Sequence, residues 1–133
     1  MEIYKLQVFY FEQIKIFRTI AVPKLALIPK FVEFMAESFD FYKENIDDYF
    51  LWGYEKDSKQ RWKLKSTEIE NTPPFKRKEF NLSKVFEKST EFMTVINQKT
   101  PYVFSIKFLE AEEIANSTQP FVIDQMGEIE LDY

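Results

Sequence analysis

Between residues 102 and 108, Tyr102, Phe104, Ile106 and Phe108 alternate with Val103, Ser105 and Lys107. A period of two with one bulky apolar face is the signature of a strand packed on one side only. The same period recurs along the chain. Tyr4, Leu6, Val8 and Tyr10 oppose Lys5, Gln7, Phe9 and Phe11, and Ile14, Ile16, Ile20 and Val22 share a side that Arg18 interrupts. Trp62 and Leu64 oppose Arg61, Lys63 and Lys65, after the strand-like run Tyr49 to Tyr54. These runs predict three hairpins: Ile3–Phe11 with Ile14–Val22, Tyr49–Tyr54 with Arg61–Lys65, and Phe92–Ile96 with Tyr102–Phe108. Glu12-Gln13 is not a tight primed turn, so the first connection is expected to be longer or bulged.

Helical signals are fewer. Pro29 suits a first helical turn, and Phe31, Val32, Phe34, Met35, Ala36 and Phe39 follow at spacings of three and four, predicting a helix over about 29–39 that packs on the sheet. Asn81 is placed to cap a short second helix that buries Leu82, Val85 and Phe86. Residues 66–80, with Asn71-Thr72-Pro73-Pro74, read as a flexible loop. Phe121-Val122-Ile123 is expected to form an edge strand or lie across the sheet, and the acidic C-terminus is expected to be frayed.

The 133 residues suit one domain, and 24 aromatic side chains, 15 Phe, 7 Tyr and 2 Trp, are far more than a disordered chain carries. No run of about 18 apolar residues is present and the start lacks a secretion signal, so the expected location is the cytoplasm, with no membrane partner. The chain contains no histidine, no cysteine and only two glycines. That removes the imidazole proton shuttle, the thiol nucleophile, the usual zinc ligands and the phosphate-cradling glycine loop. The expectation is a non-enzymatic protein-interaction domain with no cofactor and no metal. What remains for catalysis is a carboxylate-only or divalent-cation site at Asp47-Asp48 or Glu110, Glu112 and Glu113, whose spacing fits no calcium loop.

Charge is unevenly spread. Net charge is −4, yet residues 56–78 hold eight basic side chains against Asp57, Glu68 and Glu70, and no basic residue follows Lys107. Arg61, Lys63 and Lys65, joined by Lys76, Arg77 and Lys78, are the candidate surface for nucleic acid or an acidic partner. The alternative role for such a row is a solvated edge that resists aggregation. Tyr10, Phe11, Tyr49 and Tyr54 are candidates for an exposed contact patch, self-association included.

The order of elements resembles the family named after the third open reading frame of a root-inducing plasmid, whose relatives include passenger proteins of bacterial insertion elements. Ile16-Phe17-Arg18-Thr19-Ile20-Ala21-Val22-Pro23 is similar to its I-W-R-x-I-x-V-P, and Phe92 to Phe108 to its F-x-Y-x-Y-D-F-G-D-x-W-x-x-x-I-x-L. At the D-F-G-D-x-W turn this chain has Asn97, Gln98, Lys99, Thr100, Pro101 and Tyr102, without the acids or the glycine, and the family's later P-P-E-D is missing. The resemblance implies an α+β fold similar to a β-grasp: a mixed, mostly antiparallel sheet with one main helix packed across it, plus a short second helix. It implies no activity, and an accessory role for a mobile element is the nucleic-acid reading it adds.

Overall fold

Seven strands hydrogen-bond into one sheet in the order β4-β3-β5-β6-β1-β2-β7, and all six of its ladders run antiparallel. The computed structural model describes residues 1–11 and 13–130. In chain order the elements are β1 (Glu2–Tyr10), β2 (Gln13–Pro23), α1 (Ile28–Ser38), β3 (Tyr49–Tyr54), β4 (Arg61–Lys65), α2 (Ser66–Glu70), α3 (Leu82–Lys88), β5 (Glu91–Ile96), β6 (Tyr102–Glu113) and β7 (Phe121–Met126), with short 3₁₀ turns at Lys43–Asn45 and Pro74–Glu79. This is an α+β fold. The sheet expected to be mixed is antiparallel throughout its described ladders, and what holds of the β-grasp expectation is coarser: a helix laid across a sheet. Among the described residues no helix is long and apolar enough to cross a membrane.

The three expected hairpins form. A register shift between Phe9 and Tyr10 bulges the first, and Phe11 turns the chain at φ 54°. Helix α1 begins with Pro29 in its first turn and buries Ile28, Phe31, Val32, Met35 and Ala36. Its stripe meets the apolar rows of the sheet: Phe31 lies 6.1 Å from Phe92, and beyond the helix Phe39 lies 5.1 Å from Phe104. Each such ring buried removes enough apolar surface from water to contribute roughly 2–3 kcal/mol before chain entropy is counted. The side chain of Asn81 accepts from the Lys84 N–H at 3.1 Å, so α3 is capped as its sequence indicates. Phe86 of α3 packs on Tyr4, Phe92 and Phe108.

One expectation is corrected. Residues 66–80 are not an irregular loop but α2 and a 3₁₀ turn. Buried Ile69 anchors α2 in the core, and the Arg77 guanidinium donates to the carbonyls of Glu70 and Thr72 at 2.8 and 2.9 Å. A Pro-Pro pair opposes an α-helix, but a proline at the start of a 3₁₀ turn needs no N–H partner. Phe121-Val122-Ile123 forms the expected edge strand within β7, which pairs with β2 from Phe17 to Ala21. Residues 131–133 lie outside the described part of the chain.

Candidate interaction surface

The alternation that builds the core also fixes what is left on the other side. Leu6, Val8, Ile20, Leu51, Phe92, Phe104 and Ile106 face α1 and α3 within one cluster. Their neighbours in each strand point the opposite way, and among the described residues no helix covers that outer face. Register assembles a row across it. Lys63 sits opposite Trp52, Trp52 opposite Met93, and Met93 opposite Ser105. Ser105 is opposite Phe9, Phe9 opposite Phe17, and Phe17 opposite Met126. This row spans all seven strands and is mostly apolar, whereas an open antiparallel sheet ordinarily presents polar side chains to water. A groove of about 310 Å³ opens in it, lined by Trp52, Tyr54, Met93 and Ser105, with Lys56 and Lys59 on its border.

Cations occupy the β4 edge of this face. Arg61 lies opposite Tyr54, Lys63 opposite Trp52 and Lys65 opposite Phe50. The Arg61 guanidinium carbon stands 4.9 Å from the centre of the Trp52 ring, and Lys63 Nζ stands 4.1 Å from that of Phe50. Among the described residues no carboxylate is within ion-pair distance of these three cations. Arg61 and Lys63 are each paired with a π-face instead, an arrangement contributing on the order of 0.5–1 kcal/mol at an exposed site. Gly53 makes room on the opposite side, where a Cβ would stand 3.1 Å from the Trp62 ring.

The structure divides the six basic residues that the sequence groups. Lys76, Arg77 and Lys78 belong to the 3₁₀ turn between α2 and α3, in the helical layer, and Arg77 is committed to backbone carbonyls. The anticipated aromatic patch divides too. Phe11 and Tyr54 are 51% and 56% exposed, but Tyr10 and Tyr49 are half-buried and pack against the inner core. Burial, with help from Glu70 and Glu33, pushes the Tyr49 phenol up to about 12.

The Glu110 and Glu112 carboxylates are already engaged. Lys5 Nζ lies 3.0 Å from Glu110 and 2.8 Å from Glu112, and these hydrogen bonds, Glu112 foremost, raise the Lys5 ammonium above its ordinary value. Asp47 and Asp48 lend their N–H groups to the side-chain oxygen of Asn97, at 2.7 and 3.4 Å. Among the described residues no cluster of three or more acids is arranged to hold a metal ion.

That contact explains the turn at residues 97–102. Asn97 adopts φ 60°, a left-handed conformation that asparagine tolerates better than most side chains. Its amide nitrogen also donates to the Asn45 carbonyl at 2.7 Å, while Asp48 accepts from the Gln98 N–H at 3.0 Å. Thr100 closes the turn on the Asn97 carbonyl at 3.1 Å, Lys99 is exposed, and Tyr102 is buried 4.8 Å from Phe41. The turn is thus a structural clasp between the segment before β3 and the β5–β6 hairpin.

Arg18, the polar interruption in β2, is 3% exposed. Its Nε donates to the Ser38 carbonyl at 2.6 Å, and its Nη1 reaches those of Phe17, Met126 and Gly127 at 2.7, 3.1 and 2.9 Å. The guanidinium also lies 4.4 Å over Phe39. Desolvation lowers its pKa, opposed by Asp40 and Glu128. One side chain thereby ties the end of α1 to the end of β7.

The row residues Phe9, Phe17, Met93, Ser105 and Met126 were not singled out by sequence reasoning. Alternation places Phe9 on the side of Lys5 and Gln7, but no local signal tells which residues of other strands stand beside it. No protein-family model matches the chain, and no curated protein matches it. Among solved structures it is similar to a protein of unknown function, MM3350, from Methanosarcina mazei Go1. The TM-score is 0.71 over 93% of this chain and 68% of that one, at 11% identity, a likeness of fold alone.

Proposed function

We propose that this chain is a non-enzymatic interaction domain that works inside the cell through the open face of its sheet, and that it is a divergent relative of the plasmid open-reading-frame-3 family. The observation carrying this reading is the in-register row from Trp52 through Met93, Phe9 and Phe17 to Met126, apolar and uncovered among the described residues. Contiguous apolar patches on soluble proteins mark sites of association, and aromatic residues with methionine and arginine are the side chains enriched there. A carboxylate-only enzyme gains no support, since Glu110 and Glu112 share an ion pair with Lys5 and the Asp48 carboxylate accepts from the Gln98 N–H within the turn clasp. Trp52→Glu tests the reading: a stoichiometric partner, a second copy of the chain included, should be recovered with the parent protein and lost with the variant at unchanged melting temperature. Equal recovery by both sinks it.

The cation–π pairs on β3 and β4 favour a second reading, a single-stranded nucleic acid stacking on Trp52 and Tyr54 with its phosphates on Arg61, Lys63 and Lys65. An oligonucleotide whose affinity falls steeply with salt, and is lost when these three cations become Ala, would select it.

A further inference from the structure

We propose that the occupant of the outer face is a second copy of this chain, docked face to face about a two-fold axis parallel to the strands, so that β4 of one protomer lies over β7 of its partner. The inference rests on the interaction reading above and adds the identity of the partner. It starts from the charge on the face. Arg61, Lys63 and Lys65 occupy one edge, whereas the opposite edge, β7, carries Asp124 on the same side, opposite Thr19, and no base. A face with a cationic edge and an acidic edge complements itself about one in-plane two-fold axis and clashes about the other. An axis across the strands would set β4 on β4, cation against cation. An axis along them reverses the strand order and sets β4 over β7.

Strand order then decides the contacts. With seven strands in the order β4-β3-β5-β6-β1-β2-β7, the middle strand is β6, and its residue in the apolar row is Ser105. Reversal about Ser105 places Met93 over Phe9 and Trp52 over Phe17, so rings and thioethers meet and the smallest side chain of the row lies at the axis. Lys107, one row away on β6, is already neutralised by Glu91 at 3.9 Å. Aligned sheets pack at about 30°, which displaces the edges by several ångströms. The three cations of β4 repeat along the strand at about 6.7 Å intervals, so Asp124 still faces one of them. Size fits as well. Seven strands at about 4.8 Å and three rows of side chains make a footprint of roughly 30 by 20 Å, comparable with the ~800 Å² per partner of a stable interface.

The absence of cysteine makes the arrangement directly testable by cross-linking. Sedimentation of the parent chain should show a dimer. With a short bismaleimide, which spans the gap between packed sheets, Ser105→Cys should yield a symmetric cross-linked dimer, and a mixture of Lys63→Cys with Met126→Cys should yield the mixed cross-link at least tenfold over either homodimer. Arg61→Glu and Asp124→Lys should each weaken self-association about tenfold, and the two together in one chain should restore it. Preferred Lys63→Cys homodimers in that cross-linking would overturn the geometry. A folded chain that stays monomeric at every concentration, yet captures a different partner through Trp52, overturns the dimer and leaves the interaction reading intact. A dimer indifferent to Trp52→Glu overturns both.

Discussion

The two faces of the sheet are made from the same strands, but their charged groups are handled in opposite ways. On the inner face the one buried cation, Arg18, has carbonyl partners from β2, α1 and the end of β7, and its guanidinium rests on Phe39. On the outer face Arg61 and Lys63 of β4 lie over aromatic rings at the rim, with no carboxylate beside them among the described residues. A charge closed inside a fold must be satisfied there, because leaving it desolvated and unpaired costs several kcal/mol. A group on a face that exchanges water for a partner can remain available. The contrast teaches that the inner face is committed to the fold, whereas the outer face keeps its cations at a water-facing rim.

Substitution can break this contrast at its strongest point. Phe104 is fully buried against Phe39 and Tyr10, so Phe104→Ala should destabilise the chain by about 3–5 kcal/mol, read as a lower denaturation midpoint. A loss under about 1 kcal/mol would mean that the inner face is not the core. Next in size is Arg18→Met, which keeps the volume but strands four carbonyl acceptors and frees the link between β7 and α1. The expected cost is about 2–4 kcal/mol, with hydrogen-exchange protection lost first along β7. Uniform loss across the sheet would show instead that Arg18 supports the fold as a whole. The smallest effect sharpens the comparison from the other side. Phe17→Thr on the outer face should move stability by no more than about 1 kcal/mol when measured in dilute monomer, because Phe17 is only half-buried and, among the described residues, its one ring neighbour is Phe9 at 6.2 Å. A cost matching that of Phe104→Ala would erase the distinction between the faces.

Much of the inner face was legible in the chain. Tyr102, Phe104 and Ile106 are all buried as their alternation requires, and the apolar stripe of α1 meets them. The basic row on β4 was legible for the same reason, since Arg61, Lys63 and Lys65 lie two apart. The loop reading of residues 66–80 failed because Pro73-Pro74 is a local stop signal, while the anchors that order the segment, Ile69 and Arg77, depend on a core and carbonyls contributed by its surroundings. Asn97 could be read as a turn residue, but not as a clasp on Asp47 and Asp48, 50 and 49 positions away.

Periodicity alone determined which side chains of each strand go together, where the main helix lies and which chemistries the missing imidazole and thiol exclude. Those are properties of residues near one another along the chain, where sterics and the pleat dictate direction. Only the tertiary structure decided that Phe9, Phe17, Met93 and Met126 form one row, that this row is left open, and that Arg18 closes on carbonyls as far as 109 positions away. Strand order and register come from pairing segments distant in sequence. That pairing is settled by which faces can be buried together, and no local pattern encodes it.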